Sequence, residues 1–222
     1  MITLPFLSEK DFEIIDPLLN RIKYVDGKNT ANGESKLVKT NLEADSTDKN
    51  YIELVNFIYS KLLKDPYVTS YAHTRIISQP IINKALNGGA YGKHYDSTFM
   101  EFRDRRIRTD LSFTVFLKSP NDYEGGELEV EFQHNKTRVK LDRGSICLYS
   151  SARWHQVLPV TKGERICCVG WIESNIPSET LREGLWDLML FSKNLTELNA
   201  PPAVIFEFNK VSNYLIKAMS QL

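Results

Sequence analysis

The sequence predicts a mainly β chain, an antiparallel sandwich or barrel held between helices. Three observations predict it. From about Arg75 to Ser174, short β-branched and aromatic runs follow one another. Turn signals separate them at near-regular spacing, and no helical pattern interrupts them. Helical periodicity returns only on the two flanks.

In chain order, Ser8 is a candidate N-cap, with acidic residues in the following turn, so "LSEKDFEIIDPLLNRI" reads as a first helix. The polar stretch from Asp26 to Lys49 reads as a long loop. Ile52, Val55, Phe57, Ile58 and Leu62 recur at helix period and predict a second helix that Pro66 closes. The predicted strands are "RIISQPII", "GKHYD", "TDLSFTVFLKS", "GGELEVEFQ", "KTRVKLD", "SICLYSS", "HQVLPV" and "RICCVGWIES". The segments "NGG", "SPNDYEGG", "HNK", "DRG" and "TKG" turn the chain between them. Past Ser174, "SETLREGLWDLMLFSKNL" and "VIFEFNKVSNYLIKAM" read as helices. The expected organisation is a helical support over 1–74, a β-core over 75–175 and C-terminal helices over 176–222 packed on that core.

At 222 residues the chain can bury a core without disulfides or metal staples. Twenty-eight basic residues balance 28 acidic ones, which gives no global steering toward nucleic acid or anionic membrane. Three cysteines form no disulfide framework, and Cys147, Cys167 and Cys168 fall in apolar strands as core thiols. The first residues lack the pattern of a signal peptide, and no apolar run reaches the ~18 residues of a membrane span, so a cytoplasmic protein is expected.

The chemistry concentrates in "YGKHYD". Residues two apart in a strand project to one face, so His94 and Asp96 can present an imidazole and a carboxylate to one point. His155, at the head of another strand, supplies a third ligand. Two histidines and a carboxylate leave coordination positions open, the ligand set of non-haem Fe(II) oxygenases. Zinc hydrolases use the same ligand types, so the triad leaves both metals open. Arg165 follows His155 by ten positions, across a turn at Thr161 to Gly163. Read as one hairpin, this segment sets Arg165 opposite Pro159, about 13 Å along the strand from His155. From there its planar fork can grip a carboxylate. His73 and His134 lack partners at ligand spacing.

These stretches, with "RTDLSFTVFLKSPNDYEGGELEVE" and "VKLDRGSICLYSSARWHQVLPVTKGERICCVGWIES", resemble the PKHD-type hydroxylases of the prolyl 4-hydroxylase-like Fe(II)/2-oxoglutarate dioxygenases. The resemblance implies a double-stranded β-helix (jelly-roll) core with flanking N- and C-terminal helices. It also implies His94, Asp96 and His155 as iron ligands and Arg165 as the residue that holds the distal carboxylate of 2-oxoglutarate. The implied activity is hydroxylation of an unactivated C–H bond with release of succinate and CO₂, using O₂ and with ascorbate as reductant. A peptidyl residue such as proline is the suggested substrate. The family often has a tyrosine nine residues before the first ligand, where this chain has Ala85; Tyr91 and Tyr149 are the candidates to replace it.

Two rival functions remain open at this point. One is a non-catalytic β-helix that binds a partner. The other is an oxygenase acting on nucleic acid through the basic run Arg103 to Arg108, although that run lacks interleaved stacking aromatics. The stretches Ser97 to Thr109 and Asp26 to Lys49 are the expected substrate-selecting loops.

Overall fold

The run Leu111–Phe116 is buried at every position, because helices cover one of its faces and a second sheet covers the other. The computed structural model describes residues 1–29 and 33–220. Strand β1 (Ile2–Pro5) precedes helix α1 (Glu9–Leu19), and β2 (Tyr24–Asp26) and β3 (Leu42–Ala44) lead to α2 (Lys49–Lys64) and α3 (Pro66–Ala72). Next come β4 (Thr74–Ile77), β5 (Ile81–Ala85), β6 (Tyr91–His94), β7 (Phe99–Phe102), β8 (Arg105–Arg108) and β9 (Leu111–Phe116). Then follow β10 (Tyr123–Gly125), β11 (Leu128–Glu131), β12 (Lys136–Val139), β13 (Ser145–Ser150), β14 (His155–Val157), β15 (Val160–Gly163) and β16 (Arg165–Ser174). Helices α4 (Glu179–Glu197) and α5 (Pro202–Met219) close the described chain.

The large sheet runs β1-β13-β9-β16-β5-β3-β2, with β4 also on β16, and the smaller one runs β12-β11-β14-β6. All pairings are antiparallel. Side-chain parity sorts the two faces of the large sheet. Val115, Ile146, Leu148 and Cys168 pack with Phe12, Ile15, Leu54 and Ile58 of the helices. Phe116, Cys147, Tyr149 and Cys167 point the other way and meet Leu128 and Val130 of the small sheet. The mainly β sandwich with flanking helices is therefore as the sequence predicted. The adjacent cysteines face opposite sides of the sheet, and burial raises the thiol pKa of both.

Several local expectations need correction. Helix α2 does end before Pro66, with Asp65 extended, but Pro66 also opens a helix that was not expected: it occupies the first turn of α3, where no intrahelical N–H is needed, and Asp65 caps it by accepting from the Tyr67 and Val68 amides. The stretch Asp26 to Lys49 contains β3, a full member of the large sheet; residues 30–32 of it lie outside the described residues. Ser97 to Thr109 is chiefly the β7–β8 hairpin, turning at Arg103 with φ of 55°. The divide at residue 74 does not divide the large sheet, since β1, β2 and β3 precede it. Of the C-terminal helices, α4 reaches α3 through Trp186, edge-on to Tyr71 at 5.5 Å. Helix α5 lies against α4 instead, through Phe208 on Phe191 at 5.2 Å, and has no buried residue.

The expected hairpin from His155 to Arg165 does not exist. Strand β14 joins the small sheet, between β11 and β6, whereas β16 joins the large one. Strand β15, lying between them in the chain, pairs with β10, and the residue opposite Arg165 is Ala85. Gly163 makes the switch possible at φ of 75°, where a Cβ would stand 2.1 Å from the Asp122 carbonyl oxygen.

Glu129 on β11 ties the small sheet together. Its carboxylate accepts from Arg138 at 2.8 Å, Gln156 at 2.8 Å and Lys136 at 3.2 Å, so it braces the strand that begins with His155. These bonds, that of Arg138 first, hold its pKa down at about 2 against an ordinary 4.5. A lowered carboxylate pKa stabilises the fold above the unfolded value and loses that contribution as pH falls through the folded one. Between pH 4.5 and about 2 the melting temperature of the wild type should therefore fall toward that of Glu129→Gln. A difference between the two that is the same at pH 3 as at pH 7, measured by thermal melts, would contradict this assignment.

Candidate metal and anion site

His94 ends β6 and His155 begins β14, and the two are register partners across adjacent strands of the small sheet. Each imidazole is fixed from behind. Nδ1 of His94 faces the Gly92 carbonyl at 2.7 Å, and Nδ1 of His155 faces the Arg153 carbonyl at 2.9 Å. With Nδ1–H donating to a carbonyl, the Nε2 lone pair is left for a ligand. Asp96 lies just past the end of β6, a correction to the single-strand reading, yet its carboxylate still arrives at the same point. Its amide donates to the Ser151 carbonyl at 3.2 Å, and Ser112 of the facing sheet donates its hydroxyl to Oδ2.

The Nε2 atoms of His94 and His155 stand 4.0 and 3.7 Å from the Asp96 oxygens, and the three donor atoms lie within 4.8 Å of one another. Both histidines are buried. Burial, and then the neighbouring His155, pulls the His94 pKa down to about 4, so at neutral pH its imidazole is the uncharged form that binds metals. Donors of this type at this separation fit a divalent cation on one coordination face.

The three donors open into a cavity of about 550 Å³ that Arg165, Tyr91 and Tyr149 also line. Tyr91 stacks on His94 with centroids 3.7 Å apart, and Tyr149 meets His155 edge-on at 5.1 Å. Arg165 is only 2% exposed, and its guanidinium lies 5.5 Å from the Phe116 ring. Its Nε has no hydrogen-bond partner, and among the described residues no carboxylate forms an ion pair with it. A buried unpaired cation is costly to a fold unless an anion from outside the chain completes it.

A profile of the 2OG-Fe(II) oxygenase superfamily matches residues 81–173. A PKHD-type hydroxylase of Hyphomonas neptunium is 36% identical over 205 residues, covering 92% of each chain. One of Teredinibacter turnerae is 41% identical over 171 residues, covering 77% of this chain and 76% of that one. This chain belongs to the PKHD-type hydroxylase family. It is thus an oxygenase of the hydroxylase class, in a family whose name carries iron and 2-oxoglutarate. The fold agrees: the viral collagen prolyl hydroxylase from Paramecium Bursaria Chlorella virus-1, solved with 2-oxoglutarate, superposes with a TM-score of 0.52 at 21% identity, covering 78% of this chain and 95% of that one.

Three features of this PKHD-type hydroxylase's cavity were not read from the sequence. Ser112 reaches Asp96 from the opposite sheet, a long-range contact with no local signature. Lys39 and Glu43 form an ion pair buried in the cavity wall, contributed by the stretch read as a loop. At the mouth, exposed Tyr95 and Trp154 meet edge to face at 5.0 Å, and Arg106 lies 4.5 Å from the Phe99 ring. Among the described residues no helix is long and apolar enough to cross a membrane.

Proposed function

We propose that His94, Asp96 and His155 hold Fe(II), that Arg165 grips the distal carboxylate of 2-oxoglutarate, and that the enzyme hydroxylates a C–H bond of a peptidyl residue such as proline. The observation that carries this reading is the unpaired, buried Arg165 in the same cavity as the triad. A metal site alone would suit several chemistries; a metal site with a buried cation waiting for an anion suits a dicarboxylate cosubstrate.

Bound iron, with 2-oxoglutarate and O₂, would supply the oxidation: one oxygen atom enters the substrate C–H bond and the other the succinate, with loss of CO₂. The chain supplies position and surroundings. The carbonyls behind Nδ1 of each histidine orient both rings so that Nε2 would face the metal. Ser112 fixes the rotation of the Asp96 carboxylate. Tyr91 and Tyr149 wall the cavity beside the two imidazoles and exclude water from the reacting centre. The exposed end of the cavity, lined by Tyr95 and Phe99, admits the substrate. A peptide substrate is supported by the prolyl hydroxylase names among proteins of this fold.

The test is a screen of peptide pools with iron, 2-oxoglutarate and ascorbate. It should show one peptide class gaining a single oxygen atom in step with succinate release. Succinate release stimulated by oligonucleotides, with none by peptides, would overturn the peptide reading in favour of a nucleic-acid substrate bound by the Arg103 to Arg108 hairpin.

A further inference from the structure

Helix α5 carries more apolar surface than its neighbour α4 covers. Ile205, Phe208, Ser212, Ile216 and Met219 recur at helix spacing and are half-buried, and this is the face that α4 covers. Phe208 on Phe191, and the Ser192 hydroxyl donating to Asn209 at 2.7 Å, fix that packing. Val204, Val211 and Leu215 form a second apolar stripe, bordered by Tyr214. A helix turns about 100° per residue, which centres this stripe roughly a quarter-turn round the axis from the first. Its four side chains are 36–62% exposed.

A helix that is apolar on two sides is ordinarily buried on two sides, yet α5 buries none of its residues. A contiguous exposed apolar face of this kind marks an interaction site. Charge argues against a lipid surface as the occupant. A helix that lies on anionic lipid is rich in Lys and Arg, whereas α4 and α5 together carry five acidic and four basic residues.

The stripe is instead complementary to itself. Laid antiparallel across a two-fold axis at Val211, two copies of α5 set Val211 on Val211 and Val204 on Ala218, all small or β-branched side chains that let helices approach closely. Glu207 of one copy then reaches the turn of the other that carries Lys217, on the side of the stripe away from α4, and the symmetry makes this pair twice. We propose that the chain forms a two-fold dimer in which the Val204–Val211–Leu215 face of α5 packs antiparallel on the same face of a second copy. One helix of 18 residues is about 27 Å long, which gives a contact smaller than the ~800 Å² per partner of a standard interface. The dimer is therefore a reversible one, of micromolar affinity. No residue of α4 or α5 lines the cavity, so turnover is independent of pairing.

Sedimentation velocity of the full chain over a micromolar dilution series tests this, with circular dichroism on each sample. Wild type should approach twice its 25.5 kDa chain mass at the top of the series and return to the single mass on dilution. Val211→Glu brings two carboxylates together on the axis and should stay monomeric throughout. Phe206→Glu alters a more exposed apolar residue, about 140° round the helix from Val211, and should dimerise as wild type does. Glu207→Lys should weaken the dimer about three- to tenfold, and adding Lys217→Glu should restore it. If Val211→Glu loses its helical signal, this charge exchange decides, since both residues are exposed. A wild type that is monomeric at every concentration, a folded Val211→Glu that still dimerises, a loss as complete in Phe206→Glu, or a double exchange that restores nothing would each overturn the proposal. So would a monomeric wild type that floats with phosphatidylserine vesicles, which would assign the stripe to a lipid surface.

Discussion

Asp96→Ala is expected to remove iron from the protein and to bring 2-oxoglutarate turnover down to background while the fold persists. Asp96 contributes the sole carboxylate of the triad, and without it two imidazoles remain to hold a divalent cation. Losing an outer-shell partner of a metal ligand typically costs about 10–100-fold in affinity, and losing an anionic ligand must cost more. Ser112→Ala supplies the comparison within this site, because it removes the hydroxyl that orients Asp96 and leaves the carboxylate in place. Its iron affinity should fall by about that 10–100-fold, between wild type and Asp96→Ala. The fold should survive both changes. Asp96 lies outside the strands, and its amide bond to the Ser151 carbonyl needs no side chain. Iron per chain by metal analysis, with circular dichroism on the same sample, checks the prediction. One iron per chain in Asp96→Ala would remove this residue from the ligand set, and with it the reason for placing the metal between the two sheets.

What the sequence revealed of this fold was what local pattern can carry. Val55, Ile58 and Leu62 recur at helix period because one side of α2 is buried, whereas Ile52, read as part of the same pattern, is exposed. The strand runs were legible for the same reason. Pairing was not. A jelly roll sends successive strands to opposite sheets, so "HQVLPVTKGERICC" looks like a hairpin while β14 and β16 belong to different sheets. Strand β3 was missed because "LEA" is three residues long, and its place in the sheet is made by β5, some 40 residues away. The ligand-type residues could be found because His94 and Asp96 are two apart in the chain, and because chemistry restricts which residue types serve. The bond from Ser112 to Asp96 and the Lys39–Glu43 pair could not be found, since each depends on which elements the topology brings together. Arg165 is the instructive case: the residue was picked out, but the geometry used to justify it was wrong. It reaches the cavity from the large sheet, opposite Ala85, and not by running along a hairpin from His155.

That placement sharpens what Arg165→Lys should do. Lysine keeps the charge and loses the planar fork, so one point contact replaces a bidentate grip. Hydrogen bonds to charged groups are worth about 1.5–3 kcal/mol, so the dissociation constant for 2-oxoglutarate should rise about ten- to hundredfold. Iron stoichiometry should not change, because the triad is built from other elements. The rival view, that Arg165 is a structural ion-paired residue, predicts a loss of stability without a loss of affinity. It already lacks a partner, since no carboxylate pairs with Arg165 among the described residues. Thermal shift separates the two directly. A ligand bound to the folded state stabilises it in proportion to the logarithm of its concentration over its dissociation constant, so each tenfold loss of affinity removes about 1.4 kcal/mol at fixed saturating ligand. For a domain of this size about 2–4 °C accompanies each kcal/mol, so the rise in melting temperature that 2-oxoglutarate gives wild type should shrink by roughly 3–6 °C or more in Arg165→Lys. If the variant melts lower than wild type without 2-oxoglutarate and gains the same increment with it, the guanidinium is scaffolding. The dicarboxylate would then have to be held elsewhere in the cavity, where Lys39 is the other buried cation.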